Sequence, residues 1–285
     1  LLAASFSMPA FAADGAEPIK LISYNLRTSH GKDGDNVWMK RRHATPEMIR
    51  REAPDVFGVQ EGLIDQLHYI DTECPQYARV GVGRDDGAEK GEFMAVYYLR
   101  DRFELLDSGT FWLSETPDKV SRGWDGACNR TVTWVELKDR KSGKEFFYFN
   151  THLDHMGPVA RHEGAELICR RIASLAGDKY PVFCTGDFNA EPKDEPIKVM
   201  LQHLASARDV SQTPPYDQGS EVSWTGVPVG AMTVTIPEAQ RGRQAIDHVF
   251  VNGRVDVLKY GLLRDSDGIN YPSDHIPILV RATLK

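Results

Sequence analysis

The sequence predicts an α/β protein in which strands and helices alternate through one domain. Apolar runs with strand character recur along the chain, and segments with helical periodicity separate several of them. No Pro/Ser-rich linker and no internal repeat divides the 285 residues. Strands mixed with helices from end to end indicate packed layers around a shared core. We therefore predict a single domain over residues 18–285.

Eight apolar runs, rich in Val, Ile, Phe and Tyr, predict the strands. They are 19–26, 55–61, 92–99, 131–137, 145–152, 181–189, 245–251 and 277–284. Three segments predict helices: 38–52, 159–177 and 195–207. Segment 159–177 has the clearest pattern, because its apolar residues recur at helical spacing and Gly177 follows as a C-terminal cap.

A long loop-like segment interrupts this alternation at residues 214–243. It contains Trp224 and Met232 among polar and turn-forming residues. Loops of this length in a domain usually shape a functional site or are mobile.

The composition excludes some classes of protein. The chain has 34 Lys and Arg against 41 Asp and Glu, a formal net charge of −7. This balance argues against a protein that holds nucleic acid mainly through an overall positive field. Paired basic residues such as Arg41-Arg42 are expected on solvated faces. Beyond the N-terminus, no run approaches the roughly 18 apolar residues of a membrane span.

The N-terminal segment has the features of an export signal. Residues 1–12 are mostly small and apolar and end in Ala10-Phe11-Ala12, the A-x-A form of a signal-peptidase site. We interpret them as a signal-peptide remnant, followed by a short linker over 13–17. An apolar N-terminal strand is the alternative. The first interpretation predicts a secreted or periplasmic protein, cleaved near Ala12.

The four cysteines do not indicate a metal or redox motif. Cys74, Cys128, Cys169 and Cys184 lack CxxC spacing, and sequence cannot rank their three possible pairings. Cys169 lies in a helical pattern and Cys184 in a strand pattern, where a buried free thiol is the commoner state.

Polar residues end several of the predicted strands. Asn25 and Glu61 end the first two, and His152 ends the run 145–152 after Asn150. The stretch VFCTGDFNA, residues 182–190, changes from apolar residues to Asp187 and Asn189, whose side chains share one face of an extended chain. Further along are Asp247 and Ser273-Asp274-His275. In layered α/β proteins the crevice beyond the strand ends binds ligands.

Together these residues offer the groups that phosphate ester hydrolysis requires. Carboxylate oxygens suit Mg²⁺. Histidines donate hydrogen bonds to anionic oxygens, and an adjacent Asp orients and charges a histidine. A metal, a base for water and donors for the growing charge are the needs of this reaction. Taken singly, each residue also has a structural explanation, such as a turn or a solvated strand end.

The chain resembles the endonuclease/exonuclease/phosphatase superfamily, which has the deoxyribonuclease-I-like fold. Six motifs occur in the family's order across residues 22–275: ISYNLR (22–27), VQE (59–61), NTHLDH (150–155), GDFN (186–189), IDHVF (246–250) and SDH (273–275). Residues 111–134 further resemble a branch of exported bacterial proteins related to deadenylase-like members. The resemblance implies a two-sheet, four-layer α/β sandwich whose strand ends meet in one cleft.

The resemblance also implies the metal and the groups that act on water. Glu61 is expected to be the principal Mg²⁺ ligand with Asn25 beside it, and Mn²⁺ is expected to substitute. Asp187 is expected to orient or deprotonate the attacking water, in line with the leaving group. Asn189 is expected to hold a phosphoryl oxygen.

The histidines are expected to stabilise the phosphate. His152 and His275 would donate to its oxygens, and Asp274 would hold His275 in its charged form. Asp247 would lie at the metal side or support the histidine network. His248 is expected to be structural.

The ester itself is not indicated by the motifs, because neighbouring loops select it. Arg84, Trp124 and Arg130 are candidates: an Arg could clamp a phosphate and Trp124 could stack on a base or sugar. A surface ion pair or a packed core tryptophan would explain them equally well. We expect a monomer that hydrolyses a phosphodiester or phosphomonoester of modest size.

Two other functions remain open. An extracellular nuclease would meet nucleic acid as substrate only, and a catalytically inactive ligand-binding protein would keep the cleft. A zinc site built from His152, His155 and His162 is a weaker alternative, because His152 and His155 lie on opposite faces of a strand and no HExxH motif accompanies them.

Overall fold

The computed structural model describes residues 17–213, 245–263 and 273–285. The signal-like segment 1–12 lies outside these ranges, and so does the predicted loop over 214–243. The strands are β1 (Ile19–Asn25), β2 (Val56–Gln60), β3 (Tyr77–Val80), β4 (Val96–Leu99), β5 (Phe103–Trp112), β6 (Thr131–Asp139), β7 (Glu145–His152), β8 (Val182–Asp187), β9 (Ala205–Ser206), β10 (Asp247–Val251), β11 (Val255–Leu262) and β12 (Ile278–Leu284). The helices are α1 (Trp38–Arg41), α2 (Ala44–Glu52), α3 (Ile64–Glu73), α4 (Pro158–Leu175) and α5 (Glu195–Leu201), with a short 3-10 helix at Gly34–Asn36.

The described strands form two mixed six-stranded sheets. The order is β11-β12-β1-β2-β4-β3 in the first and β5-β6-β7-β8-β10-β9 in the second. Pairs β1–β2 and β7–β8 are parallel, and the other pairs are antiparallel. The carboxyl ends of each parallel pair therefore lie together at one edge of their sheet.

Strand alternation builds three apolar layers. In β1, Leu21 faces the second sheet, whereas Ile22 and Tyr24 face α2 and α3. In β7, Phe146 packs between the sheets and Phe147 packs on the side of α4 and α5. The layers are helix, sheet, sheet and helix, which confirms the predicted four-layer sandwich.

The two sheets are in close contact at Gly58 and Asn150. A Cβ on Gly58 would lie 2.6 Å from Cγ of Asn150 and 3.0 Å from the hydroxyl of Tyr148. Asn150 donates to the carbonyls of Val59 (2.8 Å) and Ala95 (3.0 Å) in the opposite sheet. Asn150 thus joins the sheets, and glycine at position 58 gives it room.

The eight predicted strands are found: six have shorter bounds, 145–152 has the predicted bounds and 131–137 extends to Asp139. Other elements differ from the predictions. Within 92–99 only β4 pairs as a strand, and the predicted helix 38–52 divides into α1 and α2. The predicted helix 195–207 was wrong beyond Leu201, because Ala205 and Ser206 pair with β10 instead. Helix α3 and strands β3, β5 and β11 were not predicted; β5 and β11 each contain a register shift that obscures strict alternation.

The cysteines are free, as the burial argument predicted for two of them. Cys74, Cys169 and Cys184 are buried, and Cys128 is partly buried. The Cys169 thiol contacts the thioether of Met200 at 3.7 Å inside the second helical layer. None of the helices in the described ranges is long and apolar enough to span a membrane.

Candidate active site

The polar strand ends of both sheets meet at one point. In the parallel pairs, Asn25 lies beside Gln60, which precedes Glu61, and His152 lies beside Asp187. Asp247 faces Asp187 in the antiparallel ladder. The amide of Asn25 bridges the two sheets by donating to Asp187 Oδ2 at 3.0 Å. Strand register therefore brings together the residues that the motifs singled out.

Glu61 is held in a fixed orientation and in its ionised form. Its Oε1 accepts from the Asn25 amide at 3.0 Å, and its Oε2 accepts from the backbone N–H of Thr28 at 3.1 Å. Burial opposes ionisation, but the charge of His275 and these hydrogen bonds outweigh it and lower the pKa of Glu61. Its φ of 59° is a strained conformation for this residue type, of the kind concentrated at functional sites.

Asp187 lies at the centre of the site. Its Oδ1 accepts from the backbone N–H of Asn189 at 2.9 Å, and its Oδ2 lies 3.4 Å from Nε2 of His152 and 3.8 Å from Nε2 of His275. Burial and the negative charge of Asp247 raise the pKa of Asp187 to about 7. Asp187 thus lies between Asn25, which also binds Glu61, and the two histidines.

His275 is charged, and its partner is Asp247. Nδ1 of His275 lies 2.8 Å from Oδ2 of Asp247. Burial lowers the pKa of His275, but the charges of Asp247, Asp187 and Asp274 outweigh it and raise that pKa to about 10. An imidazolium at this position can donate from Nε2 to an anionic oxygen.

Nδ1 of His275 pairs with Asp247 and not with Asp274, the expected partner, although the charge of Asp274 contributes to the raised pKa of His275. Asp274 instead accepts from the hydroxyl of Ser273 at 3.2 Å and lies 3.5 Å from Nε of Arg27. The β8–β10 register places Asp247 beside the ring. Asp247 takes the supporting role for the histidine network, one of its two expected roles.

His152 is neutral, with its proton on Nδ1. The Asn189 amide donates to Nε2 of His152 at 2.9 Å, which leaves Nδ1 as the protonated nitrogen. Burial, followed by the charges of Arg130 and Arg84, lowers the pKa of His152 well below its usual value. Asn189 also donates to the Leu153 carbonyl at 3.0 Å. Both amide N–H groups of Asn189 thus have partners in the protein and orient His152. The expected contact of Asn189 with a phosphoryl oxygen stays a prediction.

The donor set fits a hard divalent cation. Glu61, Asp187 and His275 each place one ligand-type atom within 4.8 Å of the others. Since Asp247 keeps His275 protonated, the carboxylates of Glu61 and Asp187 and the amide oxygen of Asn25 are the groups suited to an ion. Oxygen-only ligation is the preference of Mg²⁺.

A second cluster of metal-ligand types does not fit a cation. Cys128, Asp154 and His155 also lie within 4.8 Å of one another. Asp154 already accepts from the backbone N–H groups of Ala127, Met156 and Gly157 at 2.8–3.0 Å. The guanidinium of Arg130 lies 3.6 Å from the same carboxylate and would repel an added cation. The zinc alternative is not supported either: within the described ranges, His152, His155 and His162 form no such group.

The structure brings two of the three substrate-binding candidates to this site. Arg130 is buried, and its Nη2 lies 3.0 Å from Nδ1 of His155. Arg84 forms an ion pair with Glu92. The charges of both arginines act on His152. Trp124 is partly buried against the apolar cluster that contains α4, and its backbone N–H donates to Glu115. This agrees with the alternative explanation of Trp124 as a packed tryptophan.

Sequence reasoning missed residues that support the site from a distance. Arg41 is buried instead of solvated, and it donates to the carbonyls of Leu26, Arg27 and Asn36 at 2.8 Å. It thereby holds the turn whose Thr28 N–H binds Glu61. The one signal in the sequence is the basic pair at 41–42, which does not separate a buried arginine from an exposed one. His248 is structural as expected: its Nε2 lies 2.9 Å from the Ala190 carbonyl.

Comparisons with known proteins identify the family. The sequence profile of the Endonuclease/Exonuclease/phosphatase family matches residues 22–275. A solved structure of the endonuclease/exonuclease/phosphatase from Bacteroides vulgatus is 31% identical with a TM-score of 0.85, and the match covers 94% of this chain and 100% of that one. The mannosyl-6-phosphatase of Bacteroides thetaiotaomicron is 32% identical with a TM-score of 0.84, covering 93% and 100%.

Among curated relatives, human Nocturnin is 25% identical over 299 residues. That match covers 92% of this chain and 64% of Nocturnin, so the chain spans just under two thirds of that relative's length. The chain belongs to the endonuclease/exonuclease/phosphatase family, as its motifs predicted. The names of the family and of the mannosyl-6-phosphatase both refer to enzymes that act on phosphate esters. Enzymes of this family generally depend on a divalent metal.

Proposed function

We propose that the protein is an exported, Mg²⁺-dependent phosphoesterase in which Asp187 assists the attack of water on phosphorus. The observation that supports this is the position of Asp187. Its Oδ2 lies 3.0 Å from the Asn25 amide, beside the expected metal ligand Glu61, and 3.4 Å and 3.8 Å from Nε2 of His152 and of His275. Export is supported by the signal-like sequence of residues 1–12.

The residues divide the work by their chemistry. Glu61, with Asn25 beside it, would hold Mg²⁺, which supplies positive charge to the phosphoryl oxygens and the leaving oxygen. Asp187 orients the water and accepts its proton. His275, charged through Asp247, donates to the oxygens that gain negative charge. His152 would donate to a phosphate oxygen from Nδ1, because Nε2 already accepts from the Asn189 amide.

Two substrate classes are compatible with this centre. The likeness to a mannosyl-6-phosphatase at 32% identity favours a phosphomonoester of a small molecule. A nuclease is the second candidate, supported by the family itself, but the formal charge of −7 gives no overall attraction to a polynucleotide. Of these two classes, we propose that the substrate is a phosphomonoester of a small molecule.

The test compares two simple esters. Residues 13–285 are purified, and hydrolysis of p-nitrophenyl phosphate and bis(p-nitrophenyl) phosphate is measured with Mg²⁺, with Mn²⁺ and with chelator. Activity that requires the metal and falls about a hundredfold or more in Asp187→Asn and His275→Ala is expected. Asp101→Asn, at an exposed position, is the control. Absence of metal-dependent turnover of either ester and of a polynucleotide would contradict the proposal and leave a ligand-binding protein.

A further inference from the structure

Buried donors without a partner collect beside His152. In the described part of the chain, six buried side-chain N or O atoms have no hydrogen-bond partner. Four of them belong to three residues: Nε of Arg84, Nε and Nη1 of Arg130, and Nδ1 of His152. Folded proteins leave few buried donors unsatisfied, because each loses its bonds to water without replacement. Four in one place therefore indicate a binding site for an acceptor.

These donors lie next to the catalytic centre. Val132 pairs with Thr151 in the β6–β7 ladder, so Arg130 lies at the end of β7 that carries His152. Arg84 and Arg130 both approach Oε2 of Glu92. In agreement with this, burial and then the charges of Arg130 and Arg84 lower the pKa of His152. Burial and, after it, the charge of Glu61 raise the pKa of Glu92, the residue paired with Arg84. We call Arg84 and Arg130 the arginine pair. It borders the site on both the histidine side and the Glu61 side.

The neighbouring carboxylates do not satisfy the arginine pair. Oδ2 of Asp154 lies 3.6 Å from Nε of Arg130, beyond hydrogen-bond distance, and is already bonded to the N–H of Ala127. Oε2 of Glu92 is bonded to Nη1 of Arg84 and lies 4.0 Å from Nη1 of Arg130. Asp154 and Glu92 are thus engaged, and Oδ1 of Asp85 lies 4.0 Å from Nε of Arg84, also beyond hydrogen-bond distance. The remaining acceptor must therefore come from outside the pair's own surroundings.

The free groups define the chemistry of the ligand. All four are N–H donors and two of the residues are cationic, so the complementary ligand is an anion with several acceptor oxygens. Guanidinium groups present forked donors that match phosphate geometry. The protein also holds the pair in place: the Trp112 indole donates to the Arg84 carbonyl at 2.7 Å, and Arg130 is only 5% exposed.

We propose that the arginine pair and Nδ1 of His152 form an anion subsite that selects phosphomonoesters over phosphodiesters. This rests on the proposed phosphoesterase function and specifies its substrate class. A phosphomonoester near neutral pH carries up to two negative charges and three terminal oxygens, whereas a diester carries one charge and two. The metal side and His275 serve the charge common to both, and the arginine pair serves the additional charge of the monoester.

Arg84→Gln and Arg130→Gln test the subsite, with Arg79→Gln as matched control. Arg79 is a partly buried arginine in an ion pair with Asp71. We expect kcat/KM for p-nitrophenyl phosphate to fall about a hundredfold in each subsite variant, while kcat/KM for bis(p-nitrophenyl) phosphate changes less than about threefold. Arg79→Gln should alter neither. Equal losses on both esters, or no loss, would overturn the subsite.

A binding measurement separates this inference from the proposed function. Titration calorimetry with inorganic phosphate in the presence of Mg²⁺ is done on the unaltered protein and on both variants, with thermal unfolding as a check on folding. Binding that weakens at least about tenfold in the variants supports the subsite even if neither ester is hydrolysed. Unchanged phosphate binding overturns it. If Arg130→Gln fails to fold, Arg84→Gln decides, because Arg84 is held through its backbone carbonyl as well.

Discussion

The strand-end residues and the arginine pair lie side by side, yet the protein organises them in opposite ways. At the strand ends, both Glu61 oxygens and both Asp187 oxygens have partners inside the protein. In the arginine pair, three guanidinium nitrogens have none. The carboxylates of the first region are fully hydrogen-bonded before a ligand arrives. The second has its charges in place and lacks its acceptor.

The difference follows from the backbone that carries each region. Asn25 and Asp187 end strands, and the ladder register fixes where their side chains point. Arg84 lies in the loop between β3 and β4, and Arg130 precedes β6. Catalytic geometry is thus built on rigid elements, and groups that select the substrate lie on connecting segments. Substitutions that alter only one of the two regions test this division.

The largest effect is expected at Glu61. Glu61→Gln keeps the shape of the side chain but removes the charge suited to a cation, so we expect loss of Mg²⁺-dependent activity of about a hundredfold or more. Mg²⁺ should also stop raising the unfolding temperature, because a ligand that binds only the folded state stabilises it. Thermal unfolding against Mg²⁺ concentration measures this without catalysis.

Arg130→Gln is the comparison for that experiment. It should retain the Mg²⁺-dependent rise in unfolding temperature, because Arg130 is a cation and not a candidate ligand. If Glu61→Gln keeps the metal response, or if Arg130→Gln loses it, the division between a metal side and a substrate side is wrong.

The next largest effect distinguishes Asp247 from Asp274. Asp247→Asn removes the charge that bonds Nδ1 of His275, and we expect activity to fall about a hundredfold. Asp274→Asn should cost less, because its carboxylate contacts Arg27 and Ser273. Hydrolysis of both p-nitrophenyl esters by the two variants measures the difference. A larger loss in Asp274→Asn would restore the pairing that the sequence suggested.

A smaller effect, on stability, is expected at Asp154 under the arginine pair. Asp154→Asn weakens the acceptor for three backbone N–H groups, with an expected cost of about 1–3 kcal/mol at pH 7. Burial opposes ionisation, but these hydrogen bonds and the charge of Arg130 hold the pKa of Asp154 well below its usual value. Urea denaturation at several pH values measures the cost.

The sign of the pH dependence follows from that lowered pKa. The stabilisation is fully present above the unfolded-state pKa of about 4 and is lost as pH falls toward the folded-state value. The difference in free energy of unfolding between the unaltered protein and Asp154→Asn should therefore shrink from about pH 5 to about pH 3, a range on either side of the unfolded-state pKa. A difference that grows on acidification would show that the carboxylate does not act through its charge.

The smallest effect is expected at Asp125, which caps α4 from a distant loop. Its carboxylate accepts from the N–H groups of Val159 (3.2 Å) and Ala160 (2.7 Å). Asp125→Ala should destabilise the fold by about 1 kcal/mol, the usual cost of a lost N-terminal cap. Urea denaturation measures it, with Asp101→Ala as the exposed control. Catalysis on the diester should not change, since the strand ends are held by the ladder.

The sequence by itself determined which residues reach the strand ends and what chemistry they offer. Alternation and apolar runs are local properties, so Asn25, Glu61, His152 and Asp187 could be placed at strand ends without any coordinates. Six ordered motifs identified the family and, with it, the four-layer fold. The class of reaction followed from the residue types.

Only the tertiary structure decided which of these groups touch. Asn25 and Asp187 are 162 positions apart. The choice of Asp247 over Asp274 as the partner of His275 depends on the β8–β10 register, and the burial of Arg41 and Arg130 depends on packing. Hydrogen bonds and charge interactions act over a few ångströms in space, whatever the separation along the chain. A sequence specifies the groups, and the folded chain sets the distances at which they act.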